Sequence, residues 1–268
     1  MAKAFIIDVS RCSGCHNCQL ACKDEHAGND WTPYAAAQPM TGHFWCRVQE
    51  HIEGTTPRVR AHYIPHLCNH CEKPSCIPAC GRGAIYKRED GFVLIDPAKC
   101  NGCGDCREGC PYGVIYKNDA ENLCQKCTGC THLLDNGYKL PRCVDACPTD
   151  CFRYGEEEDF AEDIKRAVVL KPETGNRPKV YYLNVPGKFI AGLVYDPIEK
   201  EVIIGAKCTL GNGLDAETDS FGDFWFKNLP EGERYDLLIE APGFEPLEVC
   251  GIVTDKSINL GDMPMKKK

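Results

Sequence analysis

No stretch of this chain approaches the roughly eighteen consecutive apolar residues that a membrane-spanning helix requires. It has no GxGxxG or GxxxxGK[ST] glycine pattern of the kind that cradles a nucleotide phosphate, and no nucleophile–base signature. A basic stripe interleaved with aromatics is also missing, and the net charge is −8, which argues against nucleic acid as a binding partner. The rest of the composition, 43% hydrophobic and 26% charged, is that of an ordinary globular protein, except that 21 of the 268 residues are cysteine. Cysteine at this density means either a disulfide scaffold or metal binding in a reducing compartment. Disulfide scaffolds are small and follow an export signal. The opening MAKAFIIDVSRC has neither an apolar h-region nor a twin-arginine pair, and an odd number of cysteines does not close into pairs. The expectation is therefore metal.

The spacing says which metal. Cys12, Cys15, Cys18 and Cys22 form a C-x2-C-x2-C-x3-C run, and Cys100, Cys103, Cys106 and Cys110 repeat it ahead of Pro111. Cys68, Cys71, Cys76 and Cys80 widen the middle gap to four residues. Cys127, Cys130, Cys143 and Cys147, ahead of Pro148, widen it to twelve. This is the bacterial-ferredoxin run. Two-residue gaps let three thiolates wrap one iron–sulfur cube from a single loop, and the fourth cysteine enters a helix and points at a neighbouring cube. The competing reading is zinc, because C-x2-C pairs also build zinc ribbons. Zinc closes with two pairs, however, and does not call for a third cysteine two residues on and a fourth before proline. Four such quartets in one small chain suit the movement of electrons over distance better than a single Lewis-acid site.

Short apolar segments flank the quartets: AFIIDVS at 4–10, GAIYK at 83–87, FVLIDP at 92–97 and GVIYK at 113–117. They read as strands beside cluster loops, and IIDVS-RCSGC and LIDPA-KCNGC repeat the pattern, which suggests a duplicated two-cluster unit. The fold class expected is α+β, with a four-cluster ferredoxin-like domain over 1–155 that carries an insertion at 23–67. Residues 156–187 read as a short helix with acids leading and Lys165 and Arg166 closing, then an extended connector. From 188 to 268 cysteines fall to two, and KFIAGLVYD, AKCTLG, DFWFKNL, YDLLIEA, LEVCGIV and SINLGDM alternate with turn residues, as in an all-β sandwich.

The four quartets in order, with CPYGVIY at 110–116, KCTGC at 126–130 and PRCVDACP at 141–148, resemble the iron–sulfur subunits that accompany molybdopterin enzymes of the dimethyl sulfoxide reductase family. The WTPY insertion, PRVRAHYIP, GRGAIYKREDGFVLIDP and KPETGNRPKVYY extend the resemblance to the branch that serves transhydroxylases and catechol dehydroxylases. It implies an electron-transfer subunit, itself non-catalytic, that holds four [4Fe-4S] clusters beside a large molybdopterin subunit containing molybdenum or tungsten. It also implies the ligand sets: Cys12, Cys15, Cys18 and Cys147; Cys127, Cys130, Cys143 and Cys22; Cys68, Cys71, Cys76 and Cys110; and Cys100, Cys103, Cys106 and Cys80. The first of these sets would lie nearest the catalytic subunit. Where transhydroxylase-type relatives have lost cysteines from the middle quartets, this chain keeps all sixteen, which favours net electron flow in a reductive dehydroxylation of polyhydroxylated aromatics. The alternatives are a non-redox hydroxyl transferase and, more remotely, a zinc-stabilised scaffold. GLVYD, GAKCTL, TDSFGDFWFKNLPEG and APGF resemble the transthyretin-like or carboxypeptidase-regulatory-like sandwich, which implies a packing or docking role.

Five cysteines stand outside the quartets. The spacing of Cys124 to Cys127 admits it as a ligand, although the family pattern prefers Cys127 and Cys130. Cys151 falls close to a quartet, Cys46 lies in the insertion, and Cys208 and Cys250 read as small buried hydrophobes of the β-domain. His66, His70 and His132 read as ordinary packing or surface polarity, with donation to cluster sulfur as the sharper alternative, and Arg11, Lys23, Lys73, Arg107 and Lys126 flank ligand positions. The expected location is the cytoplasm, with co-export beside a signal-bearing partner as the alternative. An electron donor is a required partner.

Overall fold

The structure is a computed structural model that describes residues 2–268; Met1 of the expected first region lies outside the described residues. The fold is mixed, with many short strands and few helices, and resolves into two compact units. One comprises the chain up to Glu50 together with His62–Val185; the other comprises His51–Ala61 and Pro186–Lys268. Among the described residues no helix is long and apolar enough to cross a membrane.

The first unit is organised around strand β1 (Lys3–Asp8), whose Ala4, Phe5, Ile6 and Ile7 are all buried. An unbroken apolar run of this kind belongs in the middle of a sheet covered on both faces. Helix α1 (Asn17–His26) follows, then strands β2 (Arg47–Thr55) and β3 (Arg58–His66), which pair as a hairpin. Residues 51–61, the outer part of that hairpin, count with the second unit. Two further hairpins separate successive quartets. The pair β4 (Ile85–Lys87) and β5 (Val93–Ile95) precedes α2 (Asp105–Glu108), and the pair β6 (Tyr116–Asn118) and β7 (Leu123–Gln125) precedes α3 (Thr131–Asp135) and α4 (Arg142–Asp145). Strand β8 (Phe152–Glu156) then runs antiparallel to β1, with Ile7 opposite Phe152. After α5 (Ala161–Arg166), β9 (Val180–Leu183) lies parallel to β1 on its other side, so part of the expected extended connector is sheet. This three-stranded sheet brings the start and the end of the cysteine-rich sequence together: the amide of Asp8 donates to the Cys151 carbonyl at 2.8 Å.

The second unit has eight strands of its own in two sheets. β10 (Lys188–Asp196) pairs with β11 (Glu201–Val202), β14 (Asp223–Leu229) and β17 (Ile258–Pro264). β12 (Lys207–Leu210), β13 (Asp215–Glu217), β15 (Arg234–Glu240) and β16 (Leu247–Val253) form the other, in the order β13-β12-β15-β16. Ile190, Val194, Phe224 and Phe226 of the first sheet and Leu210, Leu237, Ile239 and Ile252 of the other share one apolar core; Cys208 joins it as expected, whereas Cys250, expected to be buried, points outward from β16 and is exposed. Alternation of buried and exposed side chains along β14 and β15 is what a sheet with one covered face requires.

Candidate metal centres

Helix α1 turns a single stripe inward. Cys18, Cys22 and His26 are its buried residues, spaced i, i+4 and i+8, and therefore lie one above another on one face. Ahead of it, Asp8 at the end of β1 accepts from the Ser10 amide and caps the short turn Val9–Arg11, which leads to Cys12. Cys12, Cys15, Cys18 and Cys147 line one recess, together with Cys151. One turn further along α1, Cys22 is surrounded by Cys127, Cys130 and Cys143. Cys68, Cys71, Cys76 and Cys110 line another recess with Lys126. Cys106 faces Cys80, Cys100 and Cys124, while Cys103 is exposed on the wall of an open cleft shared with Arg107, Glu108, Tyr116 and Lys117. Each group thus draws on two distant stretches of sequence. Among the described residues no three His, Cys, Asp or Glu side chains converge as the ligands of one ion do; the thiols border recesses instead.

Burial and mutual repulsion decide the charge state of these thiols. Burial first, then the charges of Cys127, Cys130 and Cys143, push Cys22 far above the ordinary thiol range, and Cys130 moves the same way. Burial likewise pushes Cys127 and Cys71 up to about 12 and Cys76 to about 11. Cys12 goes the other way, down to about 6, held there mainly by a hydrogen bond with Cys151. Neighbouring thiolates out of water need a cation among them. An iron–sulfur core supplies that positive charge, and soft thiolates are its natural donors. Backbone amides add support: those of Cys124, Gly129 and Cys151 donate at 3.3 Å to the sulfurs of Cys100, Cys127 and Cys147. The residues fit such a group.

Gly129 sits in the left-handed region at φ +67°, and a Cβ there would stand 2.3 Å from the Phe92 ring. Gly129→Ala is expected to cost about 1–3 kcal/mol by overpacking and backbone strain and to lower iron per chain after anaerobic purification. Iron content equal to that of the unaltered protein would show that the loop yields.

The three histidines singled out in the sequence all pack against aromatic rings. His70 uses Nδ1 to accept from the Val93 amide at 3.1 Å, and His66 lies beside the Tyr182 ring. His132 pairs with Glu25 at 3.1 Å and stacks on Trp31. A fourth imidazole lies at sulfur: His26 Nε2 is 3.9 Å from Cys130 Sγ. Burial, then the charges of His132 and Lys23, depress His26 to about 3, so it is neutral at physiological pH. No motif contains His26; its only sequence signal is the four-residue step from Cys22. Of the flanking cations, Arg11 pairs with Asp150 at the surface, whereas Lys126 is buried and donates to the carbonyls of Val93 and Cys127. The 23–67 insertion sends Trp45 and Cys46 into the core of the first unit.

Thiols gathered in this way, from paired stretches of a ferredoxin-like framework, mark an iron–sulfur protein. Residues 59–157 match the 4Fe-4S dicluster domain. The chain is 39% identical to the pyrogallol hydroxytransferase small subunit of Pelobacter acidigallici, over 96% of this chain and 97% of that one. It is 39% identical to a subunit of the tetrathionate reductase of Archaeoglobus fulgidus, over 68% and 82%. It is 36% identical to a component of the anaerobic dimethyl sulfoxide reductase of Escherichia coli, over 65% and 90%. The protein belongs to the electron-transferring iron–sulfur subunits of the dimethyl sulfoxide reductase family of molybdopterin enzymes.

Proposed function

We propose that this subunit carries four [4Fe-4S] clusters and passes electrons to or from a large molybdopterin catalytic subunit acting on polyhydroxylated aromatics, in a reductive dehydroxylation. The ligand sets are Cys12, Cys15, Cys18, Cys147; Cys127, Cys130, Cys143, Cys22; Cys68, Cys71, Cys76, Cys110; and Cys100, Cys103, Cys106, Cys80. The observation that carries the reading is the segregation of cysteines into groups that each combine two quartets, with Cys15 and Cys103 exposed in different groups. Each cluster supplies one-electron transfer. The chain's own part is to hold the thiolates, exclude water from them and donate N–H bonds to sulfur. The cluster domain expected over 1–155 corresponds to the first unit, which gives up residues 51–61 and gains β9, and residues 188–268 are read as a transthyretin- or carboxypeptidase-regulatory-like sandwich that packs or docks. Completion of the complex in the cytoplasm fits thiolates kept reduced.

Anaerobic purification with any co-purifying subunit, assayed together for iron and for molybdenum or tungsten, tests this. About sixteen irons per complex and a large metal-bearing subunit are expected. A chain that purifies alone with zinc overturns the reading in favour of a scaffold. The similarity to a hydroxytransferase small subunit along nearly the whole chain favours a second reading, in which turnover needs no net electrons. Reduction or oxidation of the clusters by substrate during turnover selects the first, and unchanged clusters select the second.

Lys126 provides an internal check. It is buried beside Cys127 and lines the recess of Cys68, Cys71, Cys76 and Cys110, and a cation there favours the reduced, more negative state. Lys126→Ala, or Lys126→Met to preserve volume, is expected to lower the midpoints of the two adjacent clusters by roughly 50 mV. A redox titration followed by electron paramagnetic resonance reads this directly.

A further inference from the structure

Helix α1 ends against the second of the proposed ligand sets. His26, its last residue, is 2% exposed, and its Nε2 lies 3.9 Å from Cys130 Sγ. Neighbouring rings fix the imidazole in that place. Trp45 packs on it with ring centroids 4.7 Å apart, and the His132 ring meets it edge-on at 5.2 Å. His132 is itself stacked on Trp31 at 4.4 Å and bonded through Nε2 to Glu25 Oε1. The other oxygen of Glu25 takes the Nε of Arg142 at 3.2 Å. The main chain is pinned as well, because the His26 carbonyl accepts from the Gln38 amide at 2.8 Å. Trp31, Gln38 and Trp45 all come from 23–67, so the insertion builds the frame around this imidazole.

We infer that His26 is a positioning residue that donates its Nε2–H to Cys130 Sγ and so raises the potential of the cluster held by Cys127, Cys130, Cys143 and Cys22. This rests on the ligand sets proposed above. The direction of the bond follows from the partners. A sulfur bound to iron has no hydrogen to give, so it accepts. Nδ1 is buried without a partner among the described residues. A hydrogen there would be stranded, whereas on Nε2 it has an acceptor, so the ring carries its hydrogen on Nε2. A donor to a coordinating sulfur stabilises the reduced state, in which that sulfur carries more negative charge. Burial strengthens the effect, because no water competes for the sulfur. Cys22 and His26 stand one turn apart on the same face of α1, so one helix gives the cluster both a ligand and a donor to another of its ligands.

The test uses the complete complex. His26→Leu keeps much of the volume but has no N–H. It is expected to shift the oxidised-to-reduced ratio of one cluster about tenfold towards oxidised, a fall of about 59 mV in its midpoint for one electron, with iron per complex unchanged. His26→Gln, which offers a side-chain N–H at similar reach, should recover part of that shift; a ring that only filled space would give no such difference between leucine and glutamine. On the unaltered complex, with histidine labelled by a heavy nitrogen isotope, pulsed electron paramagnetic resonance of the reduced clusters should show a weak nitrogen coupling carried through the hydrogen bond, and both variants should lose it. That measurement needs no variant to fold, and it decides alone if neither variant keeps its iron. A histidine coupling absent from every reduced cluster overturns the inference, as do equal midpoints in the unaltered and leucine complexes. A coupling as large as direct iron–nitrogen bonding gives, with the loss of about four irons in both variants, also overturns it and makes His26 a ligand. Failure of the underlying reading is separate: the unaltered complex would then show no reducible iron–sulfur signals at all.

Discussion

Removing the iron anaerobically with a chelator and a mild oxidant is expected to unfold the first unit and leave the second folded. The helices of the first unit are the reason. α2 and α4 have four residues each and α3 has five, far below the length at which a helix holds itself together. Its largest apolar cluster counts Cys18, Cys22, Cys68, Cys71, Cys127 and Cys143 among its buried members, so side chains that would grip the iron also stand where leucine or valine stands in other cores. Without the iron, those thiols border recesses with nothing to hold, and metal-binding energy that was folding energy is lost. The core of the second unit contains only Cys208, and its sheets close on Phe224, Phe226, Leu237 and Ile239. Hydrogen exchange read by mass spectrometry checks this peptide by peptide. Segments around 68–80, 100–110 and 127–147 should lose protection, while 190–194, 208–210 and 237–239 keep theirs. Retained protection across 100–147 would show that the protein scaffold alone shapes the thiol groups.

The same division explains what could be read from the sequence. The quartets declare themselves because two-residue gaps are a local geometric requirement, and β10 declares itself because KFIAGLVYD is an apolar run that ends at turn residues. Local signals do not name partners. That β1 pairs with β8 and β9, more than 140 residues away in sequence, follows from the fold closing on itself. β11 and β13 were missed because two or three largely exposed residues carry no apolar pattern. The 23–67 insertion shows no periodicity because β2 is nowhere fully buried, with only partly covered and exposed positions along it. Closeness to cysteines in sequence singles out His66, His70 and His132 and passes over His26, which the helix places at sulfur because eight residues from Cys18 is two turns of the same face. Cys46 lies farther still from any motif, and its place in the core of the first unit is a property of packing alone.

Arg58→Ala is expected to destabilise the second unit by about 3 kcal/mol, near the low end of what breaking a buried ion pair costs, and to leave the iron content unchanged. Arg58 opens β3 and is 3% exposed. Its Nε and Nη2 both donate to Asp223 Oδ1, at 2.9 and 2.7 Å, and its Nη1 donates to Asn259 Oδ1 at 3.1 Å. Asn259 in turn donates to the Thr55 carbonyl at 3.1 Å, so one guanidinium ties the hairpin tip to β14 and β17 within this unit. Removing it leaves Asp223 without its cation; because that carboxylate keeps 28% of its side-chain surface in water, rehydration limits the loss. Arg58→Lys retains the charge but cannot present the planar fork to two acceptors, and should recover only part of the difference. Pairing Arg58→Met with Asp223→Asn removes both charges and should recover more than either change alone. For a unit of this size the expected fall in Tm of the second transition is more than about 10 °C, with the visible absorption of the clusters unaltered at lower temperature. A fall of both signals together would mean that the unit held by Arg58 and the unit holding the iron fold as one, and a fall of neither would mean that Asp223 and Asn259 are satisfied by water once the arginine is gone.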